Sequence, residues 1–379
     1  FDAVLLLIAV AAIPLLLRRT TYRGVPVGLI GLICFTAATT VWILVDPSLQ
    51  GVARAVRFAG LTGLVVIVRY MQPTTFRKAV VWPLTASATA QATLGLLQTH
   101  LWNNGTESSI TARFDHAWTQ GYGTMDGGYA LAAFLAVSCG IILASGAFQR
   151  LHPAMWIAVG LSSAAISTTF GRLGVLCLIG IAGFYGVTGL VRRNWEYLSS
   201  ALVAIVPVTL GVAYTWAGWS VRAAETAGGF TSGRETLMSR ATTIIEMHPL
   251  VGVGPGNYGP TLARIGLTDI DYTVVHNVGV LVTAEYGIPI GVLFSLWVAA
   301  LGIVSILTSV RAMAVFASIV PYLVLDHTHM SYAYAIGGFG LWIATLDYLR
   351  LHRDATRDGR YGAELPARQD ESRELEPTG

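Results

Sequence analysis

The chain has 379 residues, of which 54% are hydrophobic and only 12% are charged, and its formal net charge at pH 7 is +3. This balance, with a mean hydropathy of +0.61, excludes an ordinary soluble globular domain and predicts an integral membrane protein. So small a net charge gives no reason to expect a nucleic acid partner. No disulfide framework is implied, because the cysteines all fall inside apolar segments: Cys34, Cys139 and Cys177.

Apolar windows of roughly 16–25 residues recur along the whole chain, each long enough to cross or nearly cross a bilayer. We predict an all-α polytopic membrane protein with about eleven spans, at 3–17, 25–45, 55–71, 79–98, 124–148, 154–170, 173–190, 197–217, 287–309, 312–325 and 334–349. We expect the membrane domain to cover 1–351 and to include an external segment at 218–286 with interfacial helices. The polar tail at 352–379 has no apolar periodicity, and we expect it to be a disordered cytoplasmic segment.

Basic residues decide the expected orientation, because cytoplasmic loops of membrane proteins are enriched in Lys and Arg. The alternate loops that carry most of them contain Arg18, Arg19, Arg23, Arg69, Arg77, Lys78, Arg150, Arg192, Arg193, Arg311 and Arg350. With an odd number of spans and a cytoplasmic tail, the first residue lies outside. Since Phe1 is not an initiator Met, we expect one more N-terminal span, or about twelve in the full chain.

Several arginines fall in segments predicted to be external, where positive charge is disfavoured: Arg54, Arg113, Arg172, Arg222, Arg234, Arg240 and Arg264. Arginines present where positive charge is disfavoured are expected to have a function, and we predict that they bind an anion. Arg172 interrupts an apolar run of about two span lengths, so 170–172 is predicted to form a tight external hairpin. Arg172 either snorkels to the interface or binds an anion at the mouth of the bundle, where low dielectric strengthens its attraction.

The longest segment between spans begins with a helix signal. Ser232 is the predicted N-cap and Glu235 completes a capping box, with the helix running to Met247 and stopping before Pro249. Its apolar residues recur at helical spacing, which predicts a helix that lies on the membrane surface.

Polar residues of this segment each admit a structural and a binding interpretation. Arg234 lies in the first turn, where a positive charge opposes the helix dipole and favours a binding role. Arg240 is either solvated or a supporting contact, and His248 is more typical of a helix end than of a catalyst. The glycine-rich stretch 252–258 matches neither a P-loop nor a dinucleotide fingerprint, and a compact turn is favoured over a phosphate nest.

His276 and Asn277 open an apolar helix at the external interface, so both side chains project from its N-terminus. A single interfacial histidine is more often structural than catalytic. An imidazole in this place can nevertheless accept a proton near neutral pH, which makes His276 the candidate general base.

Two further polar sets favour structural roles. The predicted external loop 326–329 has histidines two residues apart, a spacing that does not place both on one helical face for a metal. The set around Arg113, in the loop at 99–123 and its exit, shapes a cleft more plausibly than it performs chemistry. The sequence has no HExxH and no paired CxxC motif. We therefore expect no metal and no other cofactor.

A family resemblance follows from the order of these segments. In chain order they are 95–98 (GLLQ), 123–130 (GTMDGGYA), 168–172 (TTFGR), 232–234 (SGR), 248–254 (HPLVGVG), 276–277 (HN) and 285–291 (EYGIPIG). Together they resemble the O-antigen ligase and polymerase superfamily of polytopic membrane glycosyltransferases, over roughly residues 90–300. The pair HPLVGVG and HN…EYG carries most of the specificity.

The resemblance implies about twelve spans and a glycan donor linked to undecaprenyl diphosphate on the periplasmic or outer leaflet of a bacterial inner membrane. Its acceptor would be a lipid or a glycan. Motif position assigns diphosphate binding to Arg172 and Arg234 and activation of the acceptor hydroxyl to His276, with Asn277, Arg240, Arg113 and His248 as possible supporting residues. The chain has Phe-Gly-Arg-Leu where Ser-Arg-Gly is commoner in the family, which bears on the geometry of Arg172.

Within the family the alternatives are a ligase, which moves a finished glycan, a polymerase, which joins repeat units, and a protein-directed oligosaccharyltransferase. We favour the ligase because of the compact spacing between HPLVGVG and HN. A transporter or flippase is the rival from another class, but such proteins place charges at mid-membrane and contain internal repeats. A structural scaffold leaves the external arginines unexplained.

Overall fold

The structure of the chain is a computed structural model, which describes residues 2–17, 26–101, 121, 123–125, 127–147, 150–216, 218–220, 230–268, 275–325 and 333–357. Almost all of these residues are helical, and none of them lies in a β-strand. The predicted all-α class is therefore confirmed.

The helices of the first two thirds follow the predicted apolar segments, except that α3 begins at Leu49, six residues before the predicted start at 55, so Arg54 lies in a helix rather than in a loop. They are α1 (Asp2–Leu17), α2 (Val27–Val45), α3 (Leu49–Arg69), α4 (Pro73–Phe76), α5 (Trp82–Leu101), α6 (Gly128–Ala144), α7 (Pro153–Thr168), α8 (Arg172–Arg192) and α9 (Trp195–Tyr214). A π-helical turn, Arg77–Val81, joins α4 to α5. The hairpin predicted at 170–172 is present between α7 and α8.

Short helices alternate with long ones in the last third. They are α10 (Phe230–Met247), α11 (Tyr258–Arg264), α12 (Val278–Tyr286), α13 (Ile288–Thr308), α14 (Val310–Ala317), α15 (Val320–Leu325) and α16 (Ala333–Arg357). The apolar segment predicted at 312–325 is thus divided between α14 and α15. The last helix continues to Arg357, so residues 352–357 are helical and the prediction of a disordered tail from 352 is wrong there; residues 358–379 lie outside the described part.

The start of α10 differs from the prediction. The helix begins at Phe230, so Ser232 lies inside it rather than at the N-cap. A capping box marks a helix start only where the residues before it leave the helical conformation, and here Phe230 and Thr231 continue it. The predicted end at Met247, before Pro249, is confirmed.

Five helices are long and apolar enough to cross a membrane: α2, α3, α8, α9 and α13. Large apolar side chains stand exposed on their outer faces, among them Leu44, Leu190, Leu210 and Leu307. Exposing so much apolar surface to water is unfavourable, whereas the acyl chains of lipid solvate it. The structure is therefore consistent with a membrane-embedded helical protein, and the number of about eleven spans stays a prediction.

Helix α6 lies at the centre of the bundle. Nearly every one of its residues is buried, which is the pattern of a helix that is apolar all round. Helices α5, α7, α8, α14 and α16 all pack against it. Its small residues allow close approach, as where a Cβ at Gly140 would lie 2.8 Å from the Cβ of Ser318.

Charged groups at one end of the bundle tie helices together. The Arg311 guanidinium donates to the Glu196 carboxylate at 3.0 Å and lies over the Tyr197 ring, 5.4 Å from its centroid. These contacts join the start of α14 to the start of α9. The positive-inside pattern predicts that this end is cytoplasmic.

Candidate functional site

A strained turn positions Arg172 at the start of α8. Phe170 has φ +50°, a left-handed conformation that a residue with a side chain adopts at a cost of about 1–3 kcal/mol. Its buried ring packs against Trp219 with centroids 5.9 Å apart, and the Trp219 indole N–H donates to the Ser167 carbonyl at 3.1 Å. These contacts hold the turn that places Arg172, half-buried, as the first residue of its helix.

The described part of the segment before α6 packs on this same turn. Gln98 holds it by two bonds, donating to the Gly123 carbonyl and accepting from the Gly123 amide, both at 2.7 Å. The Gly121 amide donates to the Thr168 carbonyl, at the end of α7, at 3.1 Å. Two segments of the resemblance, 95–98 and 123–130, therefore meet beside a third, 168–172.

His276 and Asn277 lie at the start of α12, as predicted. The Asn277 side chain accepts from the Val280 amide at 3.0 Å, which makes it the N-cap. Its amide group also donates to the Val324 carbonyl of α15 at 2.8 Å. Asn277 is therefore a structural residue that fixes the helix start, and the side chain of His276 beside it is exposed.

Helix α15 brings the starts of α8 and α12 to one end of the bundle. It contacts both helices. On the α12 side the contact is the bond from Asn277 to Val324. On the α8 side, a Cβ at Gly174 would lie 3.3 Å from the hydroxyl of Tyr322. The segments that carry Arg172 and His276 thus flank the same short helix.

The glycine-rich stretch packs against the end of α12. The Val253 amide donates to the Ala284 carbonyl at 3.0 Å and the Gly254 amide to the Glu285 carbonyl at 2.9 Å. In the other direction, the Ile288 amide donates to the Pro249 carbonyl at 2.8 Å. The two halves of the HPLVGVG and EYG pattern are therefore in direct contact.

These bonds favour the compact turn over the phosphate nest. The amides of Gly252, Val253, Gly254, Gly256 and Asn257 all donate to oxygens of this chain. An amide that is already bonded within the chain is not available to a phosphate. The glycines are needed because backbone segments approach closely.

A buried ion pair lies beside this turn. Arg54 of α3 contacts the carboxylate of Glu285, and their side chains are only 15% and 2% exposed. The second carboxylate oxygen accepts from the Gly256 amide at 3.0 Å. Burial raises the pKa of Glu285, while the Arg54 guanidinium and the Gly256 amide oppose that shift. The anion that Arg54 holds is therefore a side chain of this protein.

The sequence analysis did not single out Glu285 as a site residue. It is the one carboxylate in the apolar helix α12, and Arg54 falls in a segment predicted to be external, where positive charge is disfavoured. Each of the two charges is costly alone in an apolar setting, so the two together were a signal from which an ion pair could have been predicted. Nothing in the sequence shows which arginine is the partner.

Arg240 lies near the buried Tyr258 at the start of α11. Burial raises the pKa of Tyr258 to about 12, against the pull of the Arg240 guanidinium. The Tyr258 hydroxyl is buried and has no hydrogen-bond partner in the part of the chain that the structure describes. Arg240 itself is half-buried, so it is not simply solvated.

Three candidate residues remain: Arg234, Arg113 and His248. The backbone of Arg234 lies in the first turns of α10, which packs against α12, but its side chain is outside the described part. Arg113 and the loop 326–329 also lie outside the described residues. His248 is exposed just after α10. Across the described ranges, no three His, Cys, Asp or Glu residues form a group able to hold a metal.

No protein-family model matches this chain, and no curated protein matches it either.

Proposed function

We propose that the chain transfers a glycan from an undecaprenyl-diphosphate carrier to an acceptor hydroxyl at the external face of a bacterial inner membrane. The observation that carries the proposal is the convergence of the segments on which the resemblance rests. In the segment 95–98, Gln98 is hydrogen-bonded to Gly123, and Gly121 is hydrogen-bonded to Thr168. The stretch 249–256 is hydrogen-bonded to 284–288. Asn277 is hydrogen-bonded to α15, which packs on α8. These contacts link segments scattered over about half of the chain through α8, α15 and α12.

In the proposed reaction, His276 accepts the proton of the acceptor hydroxyl as its oxygen attacks the anomeric carbon of the donor sugar. The bond from that carbon to the diphosphate oxygen breaks, and its electron pair leaves with undecaprenyl diphosphate. Attack and departure on opposite faces invert the anomeric carbon. The exposed position of His276 at a helix start, next to an Asn277 held by two hydrogen bonds, suits a base that must reach an incoming hydroxyl.

Arg172 and Arg234 neutralise the charge that develops on the leaving diphosphate in this proposal. A guanidinium matches phosphate oxygens in a two-pronged geometry, and charge stabilisation of the leaving group is worth several kcal/mol in a site shielded from water. The strained turn at Phe170 supports the role of Arg172, because left-handed non-glycine residues concentrate at functional sites.

A reconstituted transfer assay tests the proposal. Purified protein in proteoliposomes receives a glycan linked to undecaprenyl diphosphate and a candidate lipid or glycan acceptor, and the product size is measured. We expect one discrete shift, as for a ligase; a ladder of products would instead support polymerisation of repeat units. Uptake of a solute by proteoliposomes that lack any glycan donor would favour a transporter.

Two variants make the test specific to the site. His276→Ala should lower the transfer rate by a factor on the order of 10²–10⁴, the usual contribution of a general base. Arg192→Ala removes an exposed arginine at the end of α8, in a loop predicted to be cytoplasmic, and should leave the rate unchanged. Normal transfer by His276→Ala would refute the assigned mechanism.

A further inference from the structure

The turn between α10 and α11 presents apolar side chains outward from a fixed backbone. Leu250 and Val251 are 73% and 58% exposed. The backbone on both sides is nevertheless bonded to neighbouring elements, Pro249 to Ile288 and Val253 to Ala284. A mobile loop could turn such side chains inward, but this one holds them in place, and exposed apolar groups held in place indicate a contact surface.

The surface formed by Leu250 and Val251 continues the outer face of α13. The Ile288 amide, at the first residue of α13, donates to the Pro249 carbonyl, which immediately precedes Leu250. A Cβ at Gly287 would overlap the Leu250 carbonyl oxygen. From Ile288 onward the outer face of α13 is apolar and exposed, including Val292 and Leu296. We call Leu250, Val251 and Ile288 the apolar rim.

The length of α13 sets the depth of this rim. Its 21 residues extend about 31 Å, close to the roughly 30 Å hydrocarbon core of a bilayer. A helix that just spans the core ends at its boundary, so Ile288 lies at the boundary between acyl chains and headgroups. Leu250, held next to Ile288 by the backbone, lies at the same level.

The neighbouring turn between α2 and α3 has the same character. Leu49 is 86% exposed, and the adjacent Gln50 touches the glycine-rich stretch, where a Cβ at Gly256 would lie 2.7 Å from its side-chain oxygen. Two separate segments, the start of α3 and the turn after α10, therefore present leucines outward.

We propose that the apolar rim is inserted into the bilayer interface and that its occupant is the acyl-chain region of the surrounding phospholipid. Insertion on the order of 5–10 Å below the headgroups is typical of such interfacial contacts. Because the rim is joined to the end of α12 by backbone bonds, it also sets the height of α12 relative to the membrane. The placement requires only that α13 spans a bilayer, and it does not depend on the proposed glycan transfer.

Spin labels measure this placement directly. The labelling background is Cys34→Ser, because Cys34 is exposed while Cys139 and Cys177 are buried and do not react readily. Single labels are attached at Leu250→Cys and, as a second site in the same rim, at Val251→Cys. Val292→Cys on the outer face of α13 is the lipid reference, and Arg264→Cys is the water reference. Each protein is reconstituted into phosphatidylcholine and phosphatidylglycerol vesicles.

Collision rates with oxygen, which enriches in acyl chains, and with a water-soluble nickel chelate are then compared. We expect the ratio of oxygen to nickel collisions at 250 and 251 to exceed that at 264 several-fold and to approach that at 292. Ratios at 250 and 251 equal to that at 264 would overturn the proposal. Dipolar broadening between the 250 labels of two copies would overturn it as well, because a second copy of the chain would then cover the rim.

Discussion

The guanidinium of Arg54 contacts the carboxylate of Glu285 across 231 positions of the sequence. Arg54 lies in the first turns of α3, and Glu285 lies at the end of α12, beside the glycine-rich turn. A neighbouring bond, between the hydroxyls of Tyr286 and Thr39 at 2.9 Å, joins the same end of α12 to α2. Helix α12, which begins beside His276, is therefore attached to the first helices of the bundle by two buried polar contacts.

Breaking this ion pair from either side should destabilise the protein strongly. Removing one partner of a buried pair leaves an uncompensated charge, so Glu285→Ala and Arg54→Ala should each lose about 3–5 kcal/mol of unfolding free energy. The double variant Arg54→Met, Glu285→Leu removes both charges and should be more stable than either alanine variant. Denaturation in detergent micelles, followed by circular dichroism, measures all three.

A second ion pair on α3 is the matched control. Arg57 donates to Asp2 at 2.8 Å, but the two side chains are 25% and 39% exposed. Asp2→Ala should therefore cost at most about 1 kcal/mol. If Asp2→Ala and Glu285→Ala lower the unfolding free energy equally, then burial does not make the Arg54–Glu285 pair more costly to break than an exposed pair.

Two buried tyrosines should respond differently to loss of the hydroxyl. The Tyr258 hydroxyl has no partner among the described residues, whereas the Tyr286 hydroxyl bonds to Thr39. Tyr286→Phe should thus cost about 1 kcal/mol, while Tyr258→Phe should be neutral or stabilising. Melting temperatures of the two variants test this, and a clear loss for Tyr258→Phe would show that its hydroxyl has a partner.

The left-handed turn at Phe170 predicts an unusual order of stability. Both Phe170→Ala and Phe170→Gly lose the ring packing against Trp219, but glycine adopts φ +50° without the penalty of about 1–2 kcal/mol that alanine incurs. We expect Phe170→Gly to be the more stable of the two. Ala164 lies inside α7, where glycine is unfavourable, so Ala164→Gly should instead lower the unfolding free energy by about 1 kcal/mol. Thermal unfolding in one detergent compares all three variants.

Two left-handed glycines separate backbone strain from steric overlap. Gly266 has φ +75°, and no atom of the described residues lies within 4 Å of where its Cβ would be, so Gly266→Ala should lower the unfolding free energy only by the backbone strain, about 1–2 kcal/mol. Gly287 has φ +85°, and its added Cβ would overlap the Leu250 carbonyl. Gly287→Ala should therefore cost more than Gly266→Ala in the same denaturation experiment. Equal costs would mean that the 249–256 turn is not packed on the start of α13 as described.

Arg172 should be sensitive to the shape of its cation as well as to its charge. In the proposed transfer assay, Arg172→Ala should lose most activity, and Arg172→Lys should recover only part of it, because an ammonium cannot make the two-pronged phosphate contact. Equal activity of Arg172→Lys and the unchanged protein would indicate a charge-only role. Folding of each variant is checked by size-exclusion chromatography.

Local sequence signals predicted several parts of this end of the bundle well. The tight turn at 170–172, the helix end before Pro249 and the start of an apolar helix at 276–277 all follow from short-range patterns: an interrupted apolar run, a proline and the beginning of an apolar stretch. Ser232 shows the limit of the method. Its capping box was present, but the helix began earlier because the preceding residues also adopted helical conformation.

By itself, the sequence determined the helical, lipid-compatible character of the chain, because a helix in an apolar medium satisfies its backbone within one segment and needs no distant partner. Only the tertiary structure decided that Arg54 pairs with Glu285, that the 249–256 turn packs on α12, and that Phe170 takes a left-handed conformation beside Trp219. Each of these contacts joins residues distant in the chain. Helix packing selects such partners, and no local pattern encodes that choice.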